Sequence, residues 1–237
     1  MHRFRPFILL IAAFVSLVCA QAPNATYYLV FLRPHPMRTV LPKAQGEKIQ
    51  AAHMANIHKM AEDGVLVAAG PFADDPTTIS GAFVMVTDSA ESARKIASKD
   101  PTVVEHRNTV EVHTWSASEG IGKEYMRIHK LDPKTPENMH PHPALFLYRG
   151  PRWQQDDYHS SRLFQAHDNY LEQLKKEGHL GAAGHMDTSD NLFAVIVFKY
   201  MPMIQAQNLM SGDVLIQSGV IRIEEHQWLL SDHVLPW

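Results

Sequence analysis

The sequence predicts an α+β fold: two ferredoxin-like repeats, each βαββαβ, packed sheet to sheet as an intramolecular α/β barrel. Three observations lead there. The first is an internal echo. His53, Gly64 and Gly70 return as His167, Gly178 and Gly184 at an offset of 114. One residue then drops out, and Asp74/Asp187, Asp100/Asp213, His113/His226 and Trp115/Trp228 recur at 113. A period this long, met only twice, describes two stacked units and not a solenoid. The second is the order of elements, which is the same in both halves. The third is geometric. A ferredoxin-like sheet carries helices on one face only, and the duplicate supplies a cover for the bare face.

The elements follow in order. Residues 27–33 are aromatic and β-branched and stop at Pro34 and Pro36, which predicts a strand. Pro42 suits the first turn of a helix over 42–63, closed by Gly64. Its apolar stripe is Ile49, Ala52, Ile57 and Met60, and the 3.6 period puts His53 and Asn56 on the same face. Residues 65–69 read as a second strand ending at Gly70-Pro71, and 81–87 as a third. Asp88 or Ser89 caps a short helix to residue 98, with Glu91 suited to its dipole, and 103–115 supplies the last strand or pair of strands. Asp100 and Asp213 are read as ending the second helix of each copy. The second copy predicts strands over 144–148, 180–183, 192–198 and 220–230, with helices over 155–177 and 204–210. The domain boundaries are therefore 26–116 for repeat one, 117–143 for a linker rich in Pro, Lys, Glu and His, and 144–230 for a divergent repeat two.

Residues 1–20 are a different material. A basic start (His2, Arg3, Arg5), an apolar run over 7–18 and small residues at Cys19-Ala20 have the layout of a secretory signal peptide. The run is too short to span a bilayer comfortably, and no second segment approaches that length. A secreted or periplasmic location is expected. The single cysteine lies in this segment, so the mature chain is expected to use neither disulfides nor thiol chemistry. The formal charge is −3 and no basic run occurs, so nucleic acid is a poor partner. Fifteen histidines raise the question of metal, with His140 and His142 close together in the linker. No spacing matches a zinc-binding helix, and neither metal nor another cofactor is expected.

The chemistry is expected at His53 with Asp74. The histidine lies on the inward stripe of the first helix, and the aspartate just beyond Gly70-Pro71. A carboxylate bonded to one imidazole nitrogen fixes the tautomer and leaves the other as a general base. Both residues recur, as His167 and Asp187. Asp75 stays open as an alternative partner, because spacing does not separate adjacent aspartates. Trp115 and Trp228 are read as packing residues of the matching last strands.

His53, Gly64-Val65-Leu66, Gly70-Pro71, Asp74, Gly81 and Asp100-Pro101 together resemble the YciI-like (YCII-related) family, well over about 26–116 and weakly over 144–230. The resemblance implies membership of the dimeric α/β-barrel superfamily, whose ferredoxin-like units pair through their sheets. It also implies a His/Asp catalytic dyad, as proposed for family members, one of which is similar to chlorohydroquinone dehydrochlorinases. Repeat two departs from the pattern. His185 replaces the proline, Asp213-Val214 replaces Asp-Pro, and Leu192 stands near the place of Gly81. The expected picture is one live site and one structural partner. Two function classes stay open: a cofactor-independent enzyme acting on a small molecule by proton abstraction, hydrolysis or dehydrohalogenation, or a non-catalytic binding or scaffold protein.

Overall fold

A computed structural model describes residues 24–74, 78–154, 162–187 and 191–236. Repeat one runs β1 (Asn24–Pro34), α1 (Lys43–Glu62), β2 (Leu66–Pro71), β3 (Gly81–Met85), α2 (Ala90–Ala97), α3 (Pro101–Val104) and β4 (Asn108–Ser118). After α4 (Lys123–Leu131), repeat two runs β5 (Met139–Arg149), α5 (Arg162–Lys176), β6 (Leu180–Met186), β7 (Leu192–Phe198), α6 (Met203–Met210), α7 (Val214–Gln217) and β8 (Ile221–Ser231). Each repeat thus has one short helix more than expected, α3 and α7. Asp100 and Asp213 do not end a helix; they cap the start of the next, accepting from Thr102 N and from Leu215 N. The signal-peptide segment and Asp75 lie outside the described residues.

The eight strands form one antiparallel sheet in the order β2-β3-β1-β4-β6-β7-β5-β8. The sheet curls until its ends meet. Ala73 N donates to Gln227 O at 2.8 Å, and Phe72 bridges Trp228. A matching junction joins β4 to β6 through Trp115↔Met186 and Ala117↔Gly184. At each junction an indole locks the crossing: Trp228 Nε1 donates to Gly70 O and Trp115 Nε1 to Gly184 O, both at 3.1 Å. A Cβ on Gly70 would run into Leu229 O, and one on Gly184 into Ser116 O. Here glycine serves the close approach of two backbones, which is why it recurs in both copies.

Alternation along β1 divides the core. Tyr27, Leu29 and Phe31 point into the barrel, whereas Val30 and Leu32 face α1 and α2, so the strand is apolar on both sides. Both repeats fill the interior, and Phe31 stacks on Phe146 at 5.0 Å near its centre. Separate helix–sheet clusters lie outside, one per repeat. Gly64 (φ +72°) and Gly178 (φ +80°) end α1 and α5 in the left-handed conformation that favours glycine. The stretch read as linker does more than connect. Gly122, at the start of α4, lies against Val67 of β2 and donates to Val234 O, so α4 and the C-terminal segment cover the free edge of β2. Residues 139–143, expected in the linker, extend β5 and pair only with β8. Pro141 and Pro143 sit there because such a one-sided edge tolerates a missing N–H. Among the described residues no helix is long and apolar enough to cross a membrane.

Candidate functional site

The inward face of α1 carries His53 as expected, but its partner is Asp100 and not Asp74. His53 Nδ1 lies 2.8 and 2.9 Å from the two carboxylate oxygens of Asp100. Asp100 is fully buried and also accepts from Asn56 Nδ2 at 2.9 Å, Thr102 N at 2.9 Å and Thr102 Oγ1 at 2.6 Å. Burial pushes this carboxyl up, but the bonds from His53 and Thr102 outweigh it and hold it below the ordinary range. Asp100 is therefore an acceptor only, so the Nδ1 of His53 carries the hydrogen and a neutral ring keeps its lone pair on Nε2. A chain of donors extends the network: Ser80 Oγ gives to Asn108 Oδ1 at 2.8 Å, and Asn108 Nδ2 to Thr102 Oγ1 at 3.0 Å.

His53, Ser80, Thr102 and Asn108 all line a cavity of about 350 Å³ between α1 and the β2–β3 hairpin, which continues over β2 to α4. Met54, Ile57, Leu66 and Phe83 give it mostly apolar walls. The His53 side chain is 13 % exposed, so the ring is reachable from the cavity and shielded elsewhere.

Asp74 lies across the barrel junction. Its carboxylate accepts from Gln227 N at 2.9 Å and lies 2.7 Å from His226 Nδ1, both in repeat two. Burial raises this carboxyl, and the two partners together bring it below its usual value. His226 Nε2 is 2.9 Å from Glu224. The matching His113 Nε2 bonds Glu111 at 2.8 Å, and Arg33 reaches the other oxygen of Glu111 at 2.7 Å. His113 chiefly, with Arg33 working against burial, lowers Glu111 to about 2. Asp74 is thus a clasp between repeats. Asp187 sits at the other junction, where its N–H donates to Thr114 O at 3.2 Å.

His167 likewise pairs with Asp213 and not with Asp187, Nδ1 to Oδ2 at 2.5 Å, with both side chains fully buried. The surroundings differ from repeat one. Strand register sets Gly81 against Leu32 and Ala194 against Leu147, so Ala194 and not Leu192 takes the place of Gly81, and Phe193 that of Ser80. In the same register Leu215 replaces Thr102 and Ile221 replaces Asn108. The polar chain behind the dyad has become apolar. Phe193 packs 6.0 Å from His167 and 5.0 Å from Trp153, filling the space that is open in repeat one.

Residues 26–116, spanning nearly all of repeat one, match the sequence profile of the YCII-related domain. The first repeat is a YCII-related domain. No curated protein matches the chain in sequence. Solved structures resemble it over both repeats. A putative monooxygenase from Fusobacterium nucleatum is 10 % identical with a TM-score of 0.52, covering 87 % of this chain and 93 % of that one. A heme-binding protein from Thermus thermophilus is 11 % identical with a TM-score of 0.51, covering 90 % and 95 %. A mutant chlorite dismutase from Candidatus Nitrospira defluvii is 11 % identical with a TM-score of 0.55, covering 88 % and 92 %. At such identities the likeness shows the fold, a dimeric α/β barrel within one chain.

In the YCII-related repeat, sequence reasoning missed Asp100 as the partner of His53. Asp100 recurs at the same offset as Asp74, so recurrence did not separate them. The usable signal was Asp100-Pro101-Thr102, an N-cap before a proline, which turns a carboxylate back toward the preceding fold. The loss of Ser80, Thr102 and Asn108 from repeat two was also readable, once the register was known.

Proposed function

We propose that the YCII-related repeat binds a small, uncharged, largely apolar molecule and that His53 acts on it as a general base through Nε2, with Asp100 orienting the ring. The observation that carries this reading is a reachable imidazole held by a buried carboxylate at the wall of a cavity of about 350 Å³. That volume falls within the range of about 300–1,000 Å³ usual for small-ligand sites. Among the described residues lining it there is no Lys or Arg, and Glu137 is present, which favours a neutral ligand over an anion. The same lining does not suit haem, the group named for the Thermus neighbour, because it offers no Lys or Arg to pair with the two carboxylates, and Glu137 would face them with like charge.

The chemistry open to such a base is proton abstraction from carbon, dehydrohalogenation, or activation of water for hydrolysis. In each, Nε2 takes the proton and Asp100 stabilises the imidazolium that forms. His167 is sealed from solvent and its polar support is gone, so repeat two serves as the structural partner. Residues 1–20 are proposed to export the chain, which the N-terminal mass of the protein recovered from its host will test.

A thermal-shift screen of neutral aromatic and lactone-like compounds, followed by assay of the hits, tests the site. His53→Gln should keep the fold and lose turnover. Full turnover in that variant would remove the mechanism. Tight binding with no turnover in wild type would leave the second reading, a non-catalytic binding protein.

A further inference from the structure

Outside this cavity, repeat two holds a buried polar atom that the fold does not explain. His167 is fully buried and its Nδ1 is committed to Asp213, while among the described residues its Nε2 has no hydrogen-bond partner. Leaving a buried nitrogen unpaired is costly, so such an atom calls for a ligand. Two further donors stand beside it. His167, Asp168 and His185 each offer one ligand atom, and these atoms lie within 4.8 Å of one another. His185 Nε2 is already 3.4 Å from Asp168 Oδ1. That matches the edge of about 3.4 Å in a tetrahedron built on metal–ligand bonds of about 2.0–2.1 Å.

We propose that His167, Asp168 and His185 bind a divalent transition-metal ion of the zinc class. Two imidazoles and one carboxylate suit zinc better than magnesium or calcium, which prefer oxygen alone. Asp213 stands where a carboxylate behind a ligating histidine usually stands, fixing its tautomer and orientation. Asp168 is 52 % exposed and His185 28 %, so an ion has a way in and water can fill the remaining position. The site is particular to repeat two. Asp168 occupies the place of Met54 and His185 that of Pro71, so two of the three donors are absent from repeat one. The ion would tie α5 to β6, and binding to the folded form alone would raise its stability.

The test is titration of Zn²⁺, and of Co²⁺ as a spectroscopic probe, into the metal-stripped full chain. The expected result is one ion per chain, a visible Co²⁺ band of a four- or five-coordinate site, and a higher melting temperature with metal. Asp168→Ala and His185→Ala should each weaken binding at least tenfold while melting near wild type without metal, since neither side chain is fully buried. His140→Ala should change nothing. Absence of heat above buffer, binding that survives both site variants, or binding lost with His140→Ala would each overturn the assignment.

Discussion

Asp100→Asn separates the two opposing effects on the buried carboxylate. The replacement is nearly isosteric. Its carbonyl oxygen can keep the bonds from Thr102, but its NH₂ now faces Asn56 Nδ2 and His53 Nδ1, which lie 2.9 and 2.8 Å from the present oxygen. Hydrogen bonds to a charged group contribute about 1.5–3 kcal/mol and neutral ones about 0.5–1.5 kcal/mol. Weakening two of them costs about 2–3 kcal/mol, and relief from burying a charge returns a part. The bonds win, because the folded protein holds Asp100 below its ordinary pKa and so favours the charged form. A net loss of about 2 kcal/mol lowers the melting temperature of a chain this size by about 4–8 °C. The sign fixes the pH window. A carboxyl lowered by folding contributes stability above its unfolded value near about 4, and that contribution disappears as the pH falls through the folded value. Calorimetric melts from neutral to acid pH should therefore show a constant gap between wild type and variant that narrows below about pH 4. An Asp100→Asn protein as stable as wild type at neutral pH, or a gap that does not close in acid, refutes the network.

Other outcomes can be checked beside it. Glu111 is lowered to about 2, mainly by His113, so the part of acid stability it supplies should fade between about pH 4.5 and that value. Melts of Glu111→Gln should show a flatter acid limb. Gly70→Ala and Gly184→Ala force a Cβ into a facing backbone carbonyl, and each should lower the urea midpoint by the equivalent of about 2–3 kcal/mol. Asp74→Ala removes the partner of both Gln227 N and His226 and should cost about 1–3 kcal/mol while leaving His53 with Asp100 intact, as the imidazole signals in an NMR titration will show.

Much of the site was legible in the chain alone. The helical period placed His53 and Asn56 on one face, and both point at Asp100. The echo placed His167 beside them by analogy. What local pattern did not carry was which aspartate each histidine meets. Asp74 and Asp100 are 21 and 47 residues from His53, and both recur. The choice rests on where α3 begins and on the curl that carries Asp74 toward Gln227 and His226 of the other repeat. The metal ligands were missed for a related reason, since His167 and Asp168 meet His185 only when α5 lies over β6.

The amino-acid order by itself determined most of the secondary elements, though not α3, α7 or the first residues of β5, and the need of each sheet for a cover, because these follow from periodicity, caps and turn residues acting over a few positions. Only the tertiary structure decided which carboxylate serves which imidazole and why Gly70 and Gly184 had to remain glycine. It also decided that Phe193 closes one cleft while the place of Ser80 stays open in the other. Those outcomes depend on backbones and side chains brought together from distant parts of the chain, where fractions of an ångström separate a hydrogen bond from a collision.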